Sequence, residues 1–455
     1  LHRQLQQAAD YAHQNGIVLK GDIPIGVNRF SADVWQHPDL FHTEMQAGAP
    51  PDAFAAKGQN WGFPTYNWPR MQQDHYAWWR RRFEQMARYF DAFRIDHILG
   101  FFRIWSIPWP AVEGILGYFV PAVPLTEAEF LSRGIRFDRD RLLRPYITPA
   151  LLDQMFEEYA VAARDRFFDQ LDSGRLCFKP EFATQRQVAQ YFAETTPDPA
   201  NAKLQLLLFD LHSNVILLKE SDQRFHFRLG MENTPSFLAL DAHTQSQLRD
   251  LYLDYFFRRQ DRFWAASALE KLPELKRATN MLVCGEDLGM VPACVPHVMR
   301  QLGLLGLEVQ RMPKDLRRAF SRPAEAPYLS VVTPSTHDMS TLRGWWREDP
   351  ALTQQFFNTE LGLPGPAPAE CEPWVSRAII RQHLASPAMW SIFQIQDLFG
   401  IDEALRRKDV DAERINVPAN PAYYWRYRMH LTLEQLLRQD GFNQALLVLL
   451  QEQGR

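Results

Sequence analysis

Three acidic residues stand just past short predicted strands: Asp96 after Phe93-Arg94-Ile95, Glu286 after Val283-Cys284-Gly285, and Asp338 after Ser335-Thr336-His337. Carboxyl groups so arranged suit one chemistry in particular. Breaking and remaking a glycosidic bond with retention takes two carboxyls about 5 to 5.5 Å apart, one as nucleophile and one as acid and then base. A third can steady the charge of the transition state. The neighbours separate the roles. Arg94 lies two residues from Asp96, so on a strand it points to the same side and can hold that carboxylate ionised. Glu286 follows an apolar run, and low-polarity surroundings raise a carboxyl toward the pKa a general acid needs. His337 offers a donor for a sugar hydroxyl. Taken singly each motif has a plain alternative: Arg94 and Asp96 as a structural ion pair, Gly285-Glu286-Asp287 as a turn before a helix. Their joint occurrence at strand ends favours a site.

A second constellation runs from Gly58 to Trp68 (GQNWGFPTYNW), where rings alternate with amides and turn residues. Rings stack on sugar faces and amides bond hydroxyls; the alternative is that Trp61 or Trp68 simply packs in the core. Thirteen Trp in a chain with 13% aromatic residues exceed what packing alone requires, although most of these rings are expected to be core.

Acids distant in sequence meet when each ends a strand of a parallel barrel. Six strand candidates occur, near residues 17, 90, 281, 304, 328 and 390. The first follows an amphipathic helix over residues 1 to 15; the last runs from Trp390 to Ile395 and ends at Gln396-Asp397. The predicted class is α/β, a (β/α)8 TIM barrel whose first two βα units are expected upstream of Leu1. About 190 residues separate Asp96 from Glu286, far more than one helix and loop occupy. The stretch carries helical periodicity over 151–171, 202–218 and 245–269. The predicted division is therefore 1–111, barrel with the Asp96 strand; 112–272, a mostly helical insertion; and 273–455, the remaining barrel.

A net charge of -4 and a pI near 6.4 leave no footprint for nucleic acid or an anionic membrane. The one basic cluster, Arg80 to Arg82, reads as a solvated helix face. Cys177, Cys284, Cys294 and Cys371 form no CxxC pair, which suggests neither a disulfide framework nor a zinc knuckle and fits a reducing, cytoplasmic setting. No run reaches the 18 to 20 or so apolar residues of a membrane span. His97, His337 and Asp338 could ligate a cation, but no HxxxH or HxH pair supports them. Two carboxyls supply acid, base and nucleophile, so no metal or organic cofactor is required.

With these residues in hand the chain resembles the amylomaltase or disproportionating-enzyme family of 4-α-glucanotransferases, glycoside hydrolase family 77. The resemblance rests on Gly21-Asp22-Ile23-Pro24-Ile25-Gly26-Val27, Ser31-Ala32-Asp33-Val34-Trp35, the Gly58 to Trp68 loop, Phe93-Arg94-Ile95-Asp96-His97, Gly285-Glu286-Asp287-Leu288-Gly289 and Thr336-His337-Asp338. It implies Asp96 as nucleophile, Glu286 as acid/base and Asp338 as transition-state stabiliser. It implies substrate contacts at Asp22, Asp52, Phe54, Gln59, Trp61, Arg94, His97, Asp287 and His337, with maltose, maltodextrins or a starch-like or glycogen-like polysaccharide as substrate. Phe101-Phe102-Arg103-Ile104-Trp105, Arg144-Pro145-Tyr146-Ile147 and Tyr255-Phe256-Phe257-Arg258-Arg259-Gln260 resemble the longer subgroup, typified by the plant cytosolic enzyme. That subgroup carries starch-binding domains before the barrel, and neither lies in this chain. The competing expectations are a retaining hydrolase of the α-amylase type on the same barrel and a catalytically silent glucan-binding protein.

Overall fold

In the computed structural model, which describes residues 1–52, 55–315, 317–418 and 423–455, six short parallel strands follow one another in two three-stranded sheets. They are β1 (Lys20–Ile23), β2 (Ala92–Ile95), β3 (Leu282–Gly285), β4 (Gly306–Val309), β5 (Ser330–Thr333) and β6 (Trp390–Ser391). Spatial order equals chain order. β1 pairs with β2, β2 with β3, β4 with β5 and β5 with β6; a parallel bridge between Cys284 and Leu305 joins the two halves. All six predicted strands are present. The first begins at Lys20, since Ile17 and Val18 lie exposed ahead of it. The last stops at Ser391, and Gln396-Asp397 falls in a helix, Ile395–Phe399.

Strand residues alternate between two environments. Ile23, Phe93, Ile95 and Val283 face an outer layer with Trp79 and Phe83 of the helix Ala77–Met86, Leu272 and Leu275 of Asp261–Lys276, and Val295, Val298 and Met299 of Cys294–Leu302. Cys284, Leu305, Leu307, Val309 and Val331 form a separate inner cluster. Each buried Phe or Leu contributes roughly 2 kcal/mol by leaving water. Toward the carboxyl ends the inner face turns polar, with Asp22 opposite Arg94 in register. Of the basic cluster, Arg81 is exposed, but Arg82 lies over both Trp78 and Trp79 at 4.7 and 4.4 Å and donates to the Pro24 carbonyl. Its guanidinium lies against two tryptophans, so it does not belong to a solvated face.

The long segment between β2 and β3 is mostly helical and also holds two antiparallel hairpins, Phe168–Gln170 with Leu176–Phe178 and Leu217–Lys219 with Phe225–Phe227. The predicted helix over 151–171 breaks at Glu157, whose φ is +49°, and that over 245–269 breaks at Arg258–Gln260. Helices Pro149–Phe156, Ala160–Phe167, Gln185–Ala193 and Pro199–His212 enclose their own core, including Leu152, Phe156, Phe167, Val188 and Leu208. Residues farther along, such as Phe225, Phe227, Leu248 and Tyr255, join the core outside the sheet. Residue 272 lies within the helix Asp261–Lys276. A four-stranded antiparallel sheet, in the order Gln59–Asn60, Met45–Ala49, Ile104–Pro108, Tyr118–Val120, ties the aromatic loop to the segment leaving β2.

Candidate active site

Arg94 is the electrostatic centre of the carboxyl end. Its Nη1 donates to both oxygens of Asp22 at 3.0 Å and pairs with Asp96 Oδ1 at 2.9 Å. The strand geometry dictates this: Asp22 faces Arg94 in register, and Asp96 follows two residues later on the same side. Burial works against the Arg94 charge, but Asp96, Asp22 and Glu286 outweigh it and push its pKa up. Burial also raises the Asp22 carboxyl, against the pull of Arg94; His337 is close enough for its charge to act on Asp22 as well. That influence links the end of β1 with the loop after β5.

Glu286 sits beside Asp96 because Ile95 and Gly285 are register partners. The two acids thus leave neighbouring strands, which run about 4.8 Å apart. The backbone laces these ends together: the Glu286 N–H donates to Ile95 O at 2.9 Å, and the Ile98 N–H to Glu286 O at 3.0 Å. Gly285 permits the approach, since a Cβ there would come within 2.6 Å of Ile98. The carboxylate is itself held by main chain, accepting from the His97 N–H on Oε2 and the Leu288 N–H on Oε1, each at 2.9 Å. His97 has φ +42°, a conformation an L-residue adopts only at a cost of about 1 kcal/mol or more. Burial drives the Glu286 pKa up to about 7; Asp96 adds to the rise and Arg94 opposes it. Burial drives His97 down to about 4, keeping its imidazole neutral near pH 7.

Asp338 stands on a loop fastened at many points. Its Oδ1 accepts from Asn416 Nδ2 at 2.8 Å, and its Oδ2 lies 3.2 Å from His337 Nε2. Arg311 donates to the carbonyls of Pro334 and Ser340, and Gln394 to that of Thr336. The buried carboxylate of Asp397 accepts from the Leu342 N–H at 2.8 Å and from the Ser335 hydroxyl. Sequence reading missed Arg311, Asn416 and Gln394, and took Asp397 for a strand end. These residues serve by reaching across the chain, which leaves no local spacing to read.

The other expected contacts divide. The Trp61 ring meets His97 edge-on at 5.0 Å, and its Nε1 donates to Gln59 Oε1 at 3.0 Å, so the loop stands against the acid. Trp68 belongs to the core, stacked on Trp79 and tilted against Phe101. Asp52 is exposed and caps its own turn, accepting from the Ala55 N–H. Phe54 lies outside the described residues. Asp287 does not open to a substrate: it is 2% exposed, with Oδ1 accepting from the Leu307 N–H and Oδ2 paired to Lys314 at 2.7 Å. It ties the end of β3 to β4 and Lys314. Among the described residues no group of three His, Cys, Asp or Glu side chains could hold a metal ion, and no helix is long and apolar enough to cross a membrane.

Set beside known proteins, residues 1–433 match the model of the Glyco_hydro_77 family, described as 4-alpha-glucanotransferase. The chain belongs to that family. It is 42% identical over its whole length to 49% of the 4-alpha-glucanotransferase DPE2 of Oryza sativa subsp. japonica. It is 24% identical, over 97% of its length, to 57% of the 4-alpha-glucanotransferase of Chlamydia pneumoniae. The chain thus spans about half the length of the curated relatives it matches. Among solved structures the amylomaltase of Streptococcus agalactiae, in complex with acarbose, resembles this family member's fold, with a TM-score of 0.58 and 16% identity over 100% of this chain and 61% of that one.

Proposed function

We propose that this chain carries the catalytic barrel of a 4-α-glucanotransferase that moves glucosyl or maltooligosyl units between α-1,4-glucans. One observation carries the reading: a carboxyl pushed up to about 7 leaves the strand next to one paired with a half-buried arginine. Such a pair divides the labour of a retaining double displacement. An Asp96 oxygen attacks the anomeric carbon while Glu286 gives its proton to the departing glycosidic oxygen, leaving a covalent glucosyl-enzyme. Glu286 then takes the proton of an incoming 4-hydroxyl, which attacks the same carbon and frees Asp96. Asp338 faces the positive charge that builds on the ring. Asp22, Asp52, Phe54, Gln59, Trp61, Arg94, His97 and His337 are proposed to line the glucan subsites, and Asp287 to brace Glu286 from behind.

The barrel is read as six of eight strands, supported by the order of the parallel sheet and by the family match, with 1–111 and 273–455 as its parts and 112–272 as an insertion. Four unpaired cysteines support a cytoplasmic setting. The test is Asp96→Asn in the full-length protein: disproportionation of maltotriose is expected to vanish while glucan binding persists, and near-normal turnover refutes the assignment. Product analysis of the parent separates transfer from hydrolysis. Transfer yields a ladder of longer oligosaccharides plus glucose, whereas hydrolysis yields shortening alone.

A further inference from the structure

The loop that brings Trp61 to His97 pairs with the strand Met45–Ala49 and is held as well from the inserted helical unit. Gln185, at the start of the helix Gln185–Ala193, is 1% exposed and uses its whole amide. Its Oε1 accepts from the Val112 and Glu113 N–H groups, each at 2.9 Å; its Nε2 donates to Glu113 Oε2 and the Phe209 carbonyl. Residues 112–114 so fixed form the wall against which the loop lies. Asn60 Nδ2 donates to Val112 O at 3.0 Å. Gly58 and Gly114 meet backbone to backbone, and a Cβ on Gly114 would come within 2.8 Å of the Gln59 nitrogen. Lys57 pairs with Asp210 of the helix Pro199–His212. Beyond this wall the chain of contacts continues from Gln59 to Trp61, to His97, and from the His97 N–H to the carboxylate of Glu286.

We propose that the inserted unit positions the Gln59–Trp61 segment as a glucan-binding wall, with Gln185 as the residue that fixes it and the Lys57–Asp210 pair as a second tether. The idea rests on the glucanotransferase reading, and it makes the insertion a determinant of substrate affinity. Gln185 touches no reacting atom; it is a positioning residue. The polar geometry demands an amide at 185, because no other uncharged side chain of that length both accepts from two N–H groups and donates to two oxygens. Removing it leaves two partly buried N–H groups without that acceptor and frees the wall to move.

The test uses the full-length protein. In Gln185→Ala the KM for maltoheptaose is expected to rise about tenfold, with kcat within about threefold of the parent, since binding and not chemistry is disturbed. The alkaline limb of the pH profile is expected to stay in place. Lys57→Asp and Asp210→Lys are each expected to raise KM about two- to fivefold, as befits an exposed pair, and their combination to restore it. Amide hydrogen exchange supplies a readout independent of turnover: residues 58–61 exchange faster in Gln185→Ala, while 92–96 do not. Unchanged exchange at 58–61 together with unchanged KM in all these variants overturns the proposal. A parent without transfer activity refutes the functional reading alone, because the exchange comparison still decides the positioning role.

Discussion

Replacing Glu286 with Gln removes a proton whose affinity the fold has changed, and both size and sign follow from the structure. Burial raises this carboxyl from 4.5 to about 7. At about 1.4 kcal/mol per pKa unit, ionising it inside the protein costs roughly 3 kcal/mol more than in the unfolded chain. The folded state binds the proton more tightly, so stability is greatest below the unfolded value and declines as pH rises through about 7. Glutamine has no such dependence. Its amide oxygen can accept from one of the two N–H groups, His97 or Leu288, and its NH2 end cannot serve the other. That loss is the same at every pH and cancels when two pH values are compared. Denaturant titrations of parent and Glu286→Gln at pH 5 and pH 8 are therefore expected to show the variant gaining roughly 2.5 kcal/mol on the parent between them. In the parent, kcat/KM is expected to fall tenfold per pH unit above about 7, because the acid must hold its proton. A stability difference independent of pH, or a profile flat from pH 6 to 9, would refute the argument that burial tunes this group.

Arg94→Met is expected to lower kcat by roughly a hundredfold in steady-state assays. Without the cation Asp22 and Asp96 face one another uncompensated, and the Asp96 carboxylate loses the charge that holds it ionised. Asp397→Asn keeps the shape beneath the Asp338 loop but weakens the bonds to Leu342 and Ser335; about a tenfold loss in kcat is expected, with glucan affinity measured by calorimetry nearly unchanged. Trp61→Ala removes the ring set against His97 and is expected to weaken oligosaccharide binding by about 1 to 3 kcal/mol in the same calorimetric experiment.

Much of this site was legible because parallel strands end abruptly in polar residues. Arg94 and Asp96 share a face by a two-residue period, and short apolar runs marked the starts of all six strands to within about three residues. What stayed hidden depends on distance along the chain. Asn416, Gln394 and Asp397 hold the Asp338 loop from 58 to 78 residues away. Nothing in their neighbourhoods distinguishes them from surface amides and acids. Asp287, which the resemblance placed among the substrate contacts, is buried instead, because alternation on an extended chain turns it to the side opposite Glu286. The broken helices at Glu157 and Arg258 were missed because apolar periodicity continues through both breaks, and the turns are set by packing.

The anchoring of Glu286 by two main-chain N–H groups has an evolutionary corollary. A group gripped by the polypeptide itself keeps its position whatever amino acids drift in around it, so long as the turn survives. Rim loops and appended segments are then at liberty to diversify toward new partners, and the Glu286 carboxyl beneath them inherits the same seat in each descendant.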